Sequence, residues 1–305
     1  MGGYSEAVRL VDARTARAIV ETVQGDLDRF DAPETPDPTI VALLETPFHS
    51  IVEAAAHLDR LERHLQARED RRAVFLTIYA TMTRAVHDGV EDGAFADPEW
   101  MGRYLVTFAN YYRRAFLAFE RGHVERVPDP WRIAFGTAIR GDALVIQDAF
   151  LGVNAHINYD LALTLEDVGI DPDRPAKYAD HRAINEILAR LVDVQQEALA
   201  ETYAAGVEDL DGVLGGFDET ATLMSMTEGR EQAWRIAVIL TDVGLSPVTR
   251  FAHWVLRVTA TGGAYVLLGP QLDPALLDTL RRVEQDGLAL DDVLDHVRNR
   301  LEDAR

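Results

Sequence analysis

The sequence predicts an all-α protein, and three features lead there. Apolar residues recur at three- and four-residue spacing along most of the 305 residues, prolines and capping residues stand at the ends of those stretches, and strand-like alternation is nearly absent. These patterns describe a multi-helix bundle around a central buried helix, with extra terminal helices. The expected division is an N-terminal helix over 1–31, a main all-α domain over 39–268 and a C-terminal helical hairpin over 272–305.

Residues 4–30 are amphipathic, and the loop DAPETPDPT, with its three prolines, is the clearest linker. Thr39 is read as the cap of a helix over about 39–67, with His57 and His64 on one side. A helix over about 71–90 turns Phe75, Ile78, Tyr79, Met82 and Val86 inward. Asp97 caps the next helix, Pro98 opens it, and its face carries Tyr104, Phe108, Tyr111, Tyr112, Phe116 and Phe119 to about residue 121. From Trp131 the pattern runs to about 168 with at most a kink at Gly141. A polar helix over 178–205, a looser stretch over 206–226, helices over 228–243 and 247–268 with Ser246 as cap, and a final helix pair complete the chain.

Composition narrows the function. Acidic residues number 51 against 30 basic ones, a net charge of −21. Such a chain is not a phosphate-backbone binder, so no nucleic-acid partner is expected. Lys177 is the only lysine. Strong acidity with arginine in place of lysine suits a salt-adapted (halophilic) cytoplasm, or reflects codon bias with an ordinary acidic surface. There are no cysteines, hence no disulfides or thiolate metal sites. No membrane span or leader-like segment stands out, and a cytoplasmic location is the expectation. The acidic terminal pair offers either a surface for docking or homo-oligomer formation, or a plain solvated face. Phosphate loops, dinucleotide fingerprints, nucleophile elbows and paired E-x-x-H di-iron motifs are missing.

The chemistry concentrates in GVNAHINYDLALTL, residues 152–165, where Asn154, His156, Asn158 and Asp160 alternate within an apolar run. Read as a helix, it stacks Arg140, Gln147, Asn154 and Asn158 within a band of about 40°, and places His156 and Asp160 one turn apart on a second line. Buried polar groups cost roughly 1–3 kcal/mol each unless partnered. Either they form a structural network, or they surround a small-molecule pocket.

The N-A-H-I-N-x-D-L string, together with Phe75, Leu76, Tyr79, Thr83 and Val86 and the pair Phe108 and Tyr112, resembles an uncharacterised family of all-helical proteins of actinobacteria and salt-loving archaea. The likeness covers roughly residues 40–245. It implies the fold and supplies no mechanism. His156-x-x-x-Asp160 also has the spacing by which helical zinc phosphodiesterases of the phospholipase C and P1-nuclease type present two ligands from one helix. Those enzymes use many histidines, whereas here nine are scattered.

As an enzyme, with a metal-dependent hydrolase as one form, the chain would use His156 as general acid/base or metal ligand, with Asp160 orienting it or sharing the metal. Asn154, Asn158 and Arg140 would hold a polar substrate group, and Tyr79 and Tyr112 would contact a small or lipid-like ligand. The metal candidates are His156, Asp160 and His87, with His57, His64, His181 and His253 able to converge. The alternative is a noncatalytic binding or scaffold protein in which the same motif only locks helix packing.

Overall fold

A computed structural model describes residues 13–203, 226–243, 245–269, 274–287 and 289–305. Residues 1–12 of the expected N-terminal helix and 206–225 of the looser stretch lie outside them. Among the described residues the chain is helical throughout, without a strand, and no helix is long and apolar enough to cross a membrane.

The N-terminal half comprises α1 (Ala13–Gln24), α2 (Pro38–Leu44), α3 (Ile51–Gln66), α4 (Ala73–Glu91), α5 (Pro98–Glu120) and α6 (Asp129–Arg140). The central element is α7 (Val145–Ala155), a π-helical turn (His156–Asp160) and α8 (Leu161–Val168). It is followed by α9 (Arg174–Glu201), α10 (Met226–Asp242), α11 (Ser246–Leu268), α12 (Pro274–Gly287) and α13 (Leu290–Ala304).

Helix ends follow side-chain chemistry, with three differences from the sequence reading. Asp37 rather than Thr39 caps α2, accepting from the Thr39 and Ile40 amides at 2.7 and 3.4 Å, because Pro38 at the first helical position needs no acceptor. The stretch 39–67 is two helices: Pro47 interrupts it, and Ser50 caps α3 by accepting from the Glu53 amide at 3.1 Å. Ser246 lies inside α11 and makes no cap bond. Asp97 caps α5 as expected, accepting from Trp100 N at 2.8 Å.

The largest departure concerns 131–168. Gly141 takes the left-handed conformation (φ +63°) that ends α6, and α7 starts anew at Val145, so the chain turns instead of kinking.

The central element is packed by α4, α5, α6, α10 and α11. Glycines set those distances. A Cβ on Gly152 would stand 2.2 Å from the Phe75 ring, one on Gly229 would stand 2.5 Å from Asn158 Oδ1, and one on Gly263 would stand 2.9 Å from Asn154 Oδ1. Helix α1 lies on α11, where a Cβ on Gly262 would meet the Ala18 backbone at 2.3 Å. Helix α13 packs on α4 and α9.

Candidate functional site

The motif's four polar residues divide between two faces of the central element. Asn154 and Asn158 look toward α11 and α10: Asn154 Nδ2 donates to Ala260 O at 2.8 Å, and Asn158 Nδ2 donates to Asn154 Oδ1 at 3.0 Å. Two turns before Asn154, Gln147 Nε2 donates to Leu267 O at 2.7 Å. Gln147 and Asn154 thus cross-link the central element to α11, and Asn158 holds Asn154 from one turn further along the same element.

His156 and Asp160 face the other way, toward α4, α5 and α6. The π turn places them there, its Leu161 N–H reaching back to His156 O and widening the backbone by one residue. Asp160 Oδ2 accepts from Trp131 Nε1 at 2.8 Å and lies 2.9 Å from His156 Nδ1. Trp131 N–H can only donate, so this oxygen is an acceptor there, and a proton on Nδ1 gives it a second donor. That tautomer leaves a lone pair on Nε2, which is buried and has no partner among the described residues; Asp160 Oδ1 is likewise unpartnered among them.

Five aromatic rings enclose the imidazole. Phe108 stacks on it at 3.6 Å between centroids, Tyr79 meets it edge-on at 4.5 Å, and Phe75, Trp131 and Tyr112 stand at 5.8, 5.8 and 6.1 Å. Burial therefore pushes the His156 pKa down and that of Asp160 up, their mutual hydrogen bond opposing both shifts. Burial also raises the Tyr79 and Tyr112 hydroxyls, and Tyr112 Oη has no hydrogen-bond partner.

His156 lines a cavity of about 60 Å³ whose walls are mostly apolar, with Phe108, Met82, Ile157, Leu105 and Leu188 among them and the hydroxyl-bearing Thr83, Tyr79 and Tyr104 beside them. One water needs about 10–15 Å³, so the space suits a small cluster of waters or a short ligand. At the other end of the wall stands Arg230 of α10.

Residues 51–270 match a family of unknown function, DUF5995. The chain belongs to this family. Neither curated proteins nor solved structures yield a match to it. The DUF5995 span runs from the start of α3 to just beyond α11. It therefore contains the whole cavity and leaves α1, α2, α12 and α13 outside.

Within this DUF5995 fold the other sequence candidates are dispersed. Arg140 is not stacked above Asn154, because the break at Gly141 puts it on α6. Its partly exposed guanidinium bonds to Asp142 and donates to Arg29 O at 3.2 Å, away from the cavity. His87 lies at the end of α4 beside Asp88 and Glu91, 4.0 and 3.9 Å away. His57 bonds to Leu43 O, His64 to Asp37 and His253 to Glu166. Among the described residues no group of three or more histidine or carboxylate side chains comes together as a metal site. At His156 and Asp160, Nδ1 and Oδ2 are spent on each other, which leaves one donor atom on each, Nε2 and Oδ1.

Trp131 and Arg230 are the site residues that sequence reasoning missed. Arg230 interrupts the apolar stripe of Ala233, Trp234 and Ala237, a signal available in the sequence. The expectation that the chain has no D-D-x-x-D box is corrected by the string Asp291 to Asp295. It opens α13, where Asp295 accepts from Gln66 at 3.0 Å and from Arg298 at 2.5 Å, and none of its aspartates lines the cavity.

Proposed function

We propose that the chain is an enzyme of proton-transfer chemistry, taking a small, largely apolar molecule into the cavity and using His156 as the general base and acid. The observation that carries this reading is the orphan Nε2 on the cavity wall, backed by Asp160 and Trp131. A buried lone pair left without a donor is costly as a packing device. As a base it is useful: Asp160 fixes the tautomer and steadies the imidazolium formed when Nε2 takes a proton. A π turn at the same residues fits a functional distortion of the helix. Among the described residues the aliphatic hydroxyl on the cavity wall is that of Thr83, which is hydrogen-bonded to Tyr79 rather than to His156, so proton transfer is favoured over a covalent acyl route.

A second reading, a noncatalytic scaffold in which the motif only locks packing, is favoured by a different observation. Asn154 spends its amide on a cross-link to α11, and Asn158 spends its own on Asn154. We assign that role to the asparagines and the chemistry to His156.

The test uses butan-2-one in deuterium oxide. At the base, a C–H bond beside the carbonyl breaks, its electron pair passes into the enolate, the proton goes to Nε2, and solvent deuterium returns to carbon. The wild type should speed deuterium uptake seen by proton NMR, and folded His156→Gln should fall toward the buffer rate, a loss of about 10²–10⁴-fold. Equal rates in the two proteins would refute the reading.

A further inference from the structure

Arg230 is a buried cation to which no described carboxylate comes within ion-pair distance. It is 2% exposed. Its Nε donates to Asn185 Oδ1 at 2.7 Å and its Nη2 to His181 O at 2.7 Å, which ties α10 to α9. The guanidinium also hydrogen-bonds to the Tyr104 hydroxyl, and the side chain borders the cavity. The groups facing it are His181, whose Nδ1 is 3.4 Å from Nη2, and Tyr104, whose hydroxyl is 3.2 Å from that same Nδ1. Burial and the neighbouring guanidinium hold His181 well below its ordinary pKa, so it stays neutral beside Arg230. A chain with 51 carboxylate side chains places none of its described ones here. Burying a charge costs several kcal/mol unless it is paired, and a guanidinium on a cavity wall with no carboxylate partner among the described residues is suited to receive one from a ligand.

Position ties this cation to the base. Tyr104 and Phe108 stand one turn apart on α5, about 6 Å along the axis. The first reaches His181 beside Arg230, and the second stacks on His156. We propose that the cavity binds a small organic acid, its carboxylate on Arg230 and its apolar body lying along Leu105, Ile184 and Leu188 toward His156. This rests on the cavity reading above and names its substrate class: a monoanion with a short carbon chain, whose reacting carbon meets Nε2.

The test is calorimetric titration of the full chain with hexanoate and with hexan-1-ol at about pH 7, where the acid is ionised. Hexanoate should bind the wild type at least about ten-fold more tightly than the alcohol. Arg230→Gln should erase that preference while leaving the alcohol's affinity unchanged, and Arg230→Lys should retain part of it. Should Arg230→Gln fail to fold, the wild-type comparison decides alone. Equal binding of acid and alcohol overturns the anion subsite and leaves the base untouched. Binding of neither overturns both, and a hexanoate preference that survives in folded Arg230→Gln overturns Arg230 as the anchor.

Discussion

Phe108 lies flat against the His156 imidazole, with ring centroids 3.6 Å and planes 7° apart. This contact closes one face of the base and leaves its in-plane lone pair as the reactive direction. Phe108→Leu keeps the wall apolar and frees the ring to tilt. It should cost about 1–3 kcal/mol of stability and lower butanone exchange by more than about ten-fold. Thermal unfolding and the exchange assay together check it.

Asn154 should behave in the opposite way. Removing its amide leaves Ala260 O and the Asn158 amide without their partners, so Asn154→Ala should lose about 1–3 kcal/mol. Exchange activity should stay within about two-fold of wild type at temperatures where the variant is folded. Lost activity with unchanged stability would move Asn154 into the chemistry.

Gly262 carries the seat of α1. An added methyl would stand 2.3 Å from Ala18 O and 2.5 Å from Ala18 Cα, backbone atoms that can yield only by moving the helix. Gly262→Ala should therefore raise hydrogen exchange across residues 13–24 while amides around His156 stay protected. Unchanged exchange over 13–24 would contradict the packing described.

Asp148 gives the fold a pH dependence of definite sign. It lies 2.6 Å from Arg71, faces Glu284 and Asp142 as well, and keeps Oδ1 unpartnered among the described residues. Burial pushes its pKa up to about 7, against the pull of Arg71. The unfolded chain releases this proton near pH 4, so between about pH 4 and 7 the folded state binds the extra proton. Stability from this group is present at the acid end and is lost as pH rises through about 7. Asp148→Asn removes the titration, so its stability relative to wild type should increase between about pH 5 and 8, by at most about 4 kcal/mol. A difference that is flat with pH would contradict the assignment.

The helices were legible in the sequence because each signal is local. Asp97 followed by Pro98 marks the start of α5 without reference to anything distant, and the stripe from Phe75 to Val86 marks the buried face of α4. The separation of Asn154 and Asn158 from His156 and Asp160 was legible for the same reason, since helical periodicity alone puts them on different lines. What they meet was not. Trp131 reaches Asp160 from α6 across 29 residues, and His181 and Arg230 meet Tyr104 from α9 and α10. Those contacts depend on how helices cross, which no local pattern encodes. The misplacement of Arg140 has a local cause: Gly141 was read as a kink although its left-handed conformation ends the helix. The π turn left no compositional mark.

The central claim is that His156 presents a basic Nε2 to the cavity while Nδ1 carries the proton toward Asp160. Nitrogen-15 chemical shifts of the His156 ring at about pH 7 measure this directly, because protonated and bare imidazole nitrogens resonate far apart. The account predicts a bare Nε2 and a protonated Nδ1, with the bare state persisting below the ordinary histidine pKa of about 6.5 because burial lowers it. A ring protonated on Nε2 at about pH 7, alone or together with Nδ1, would contradict it.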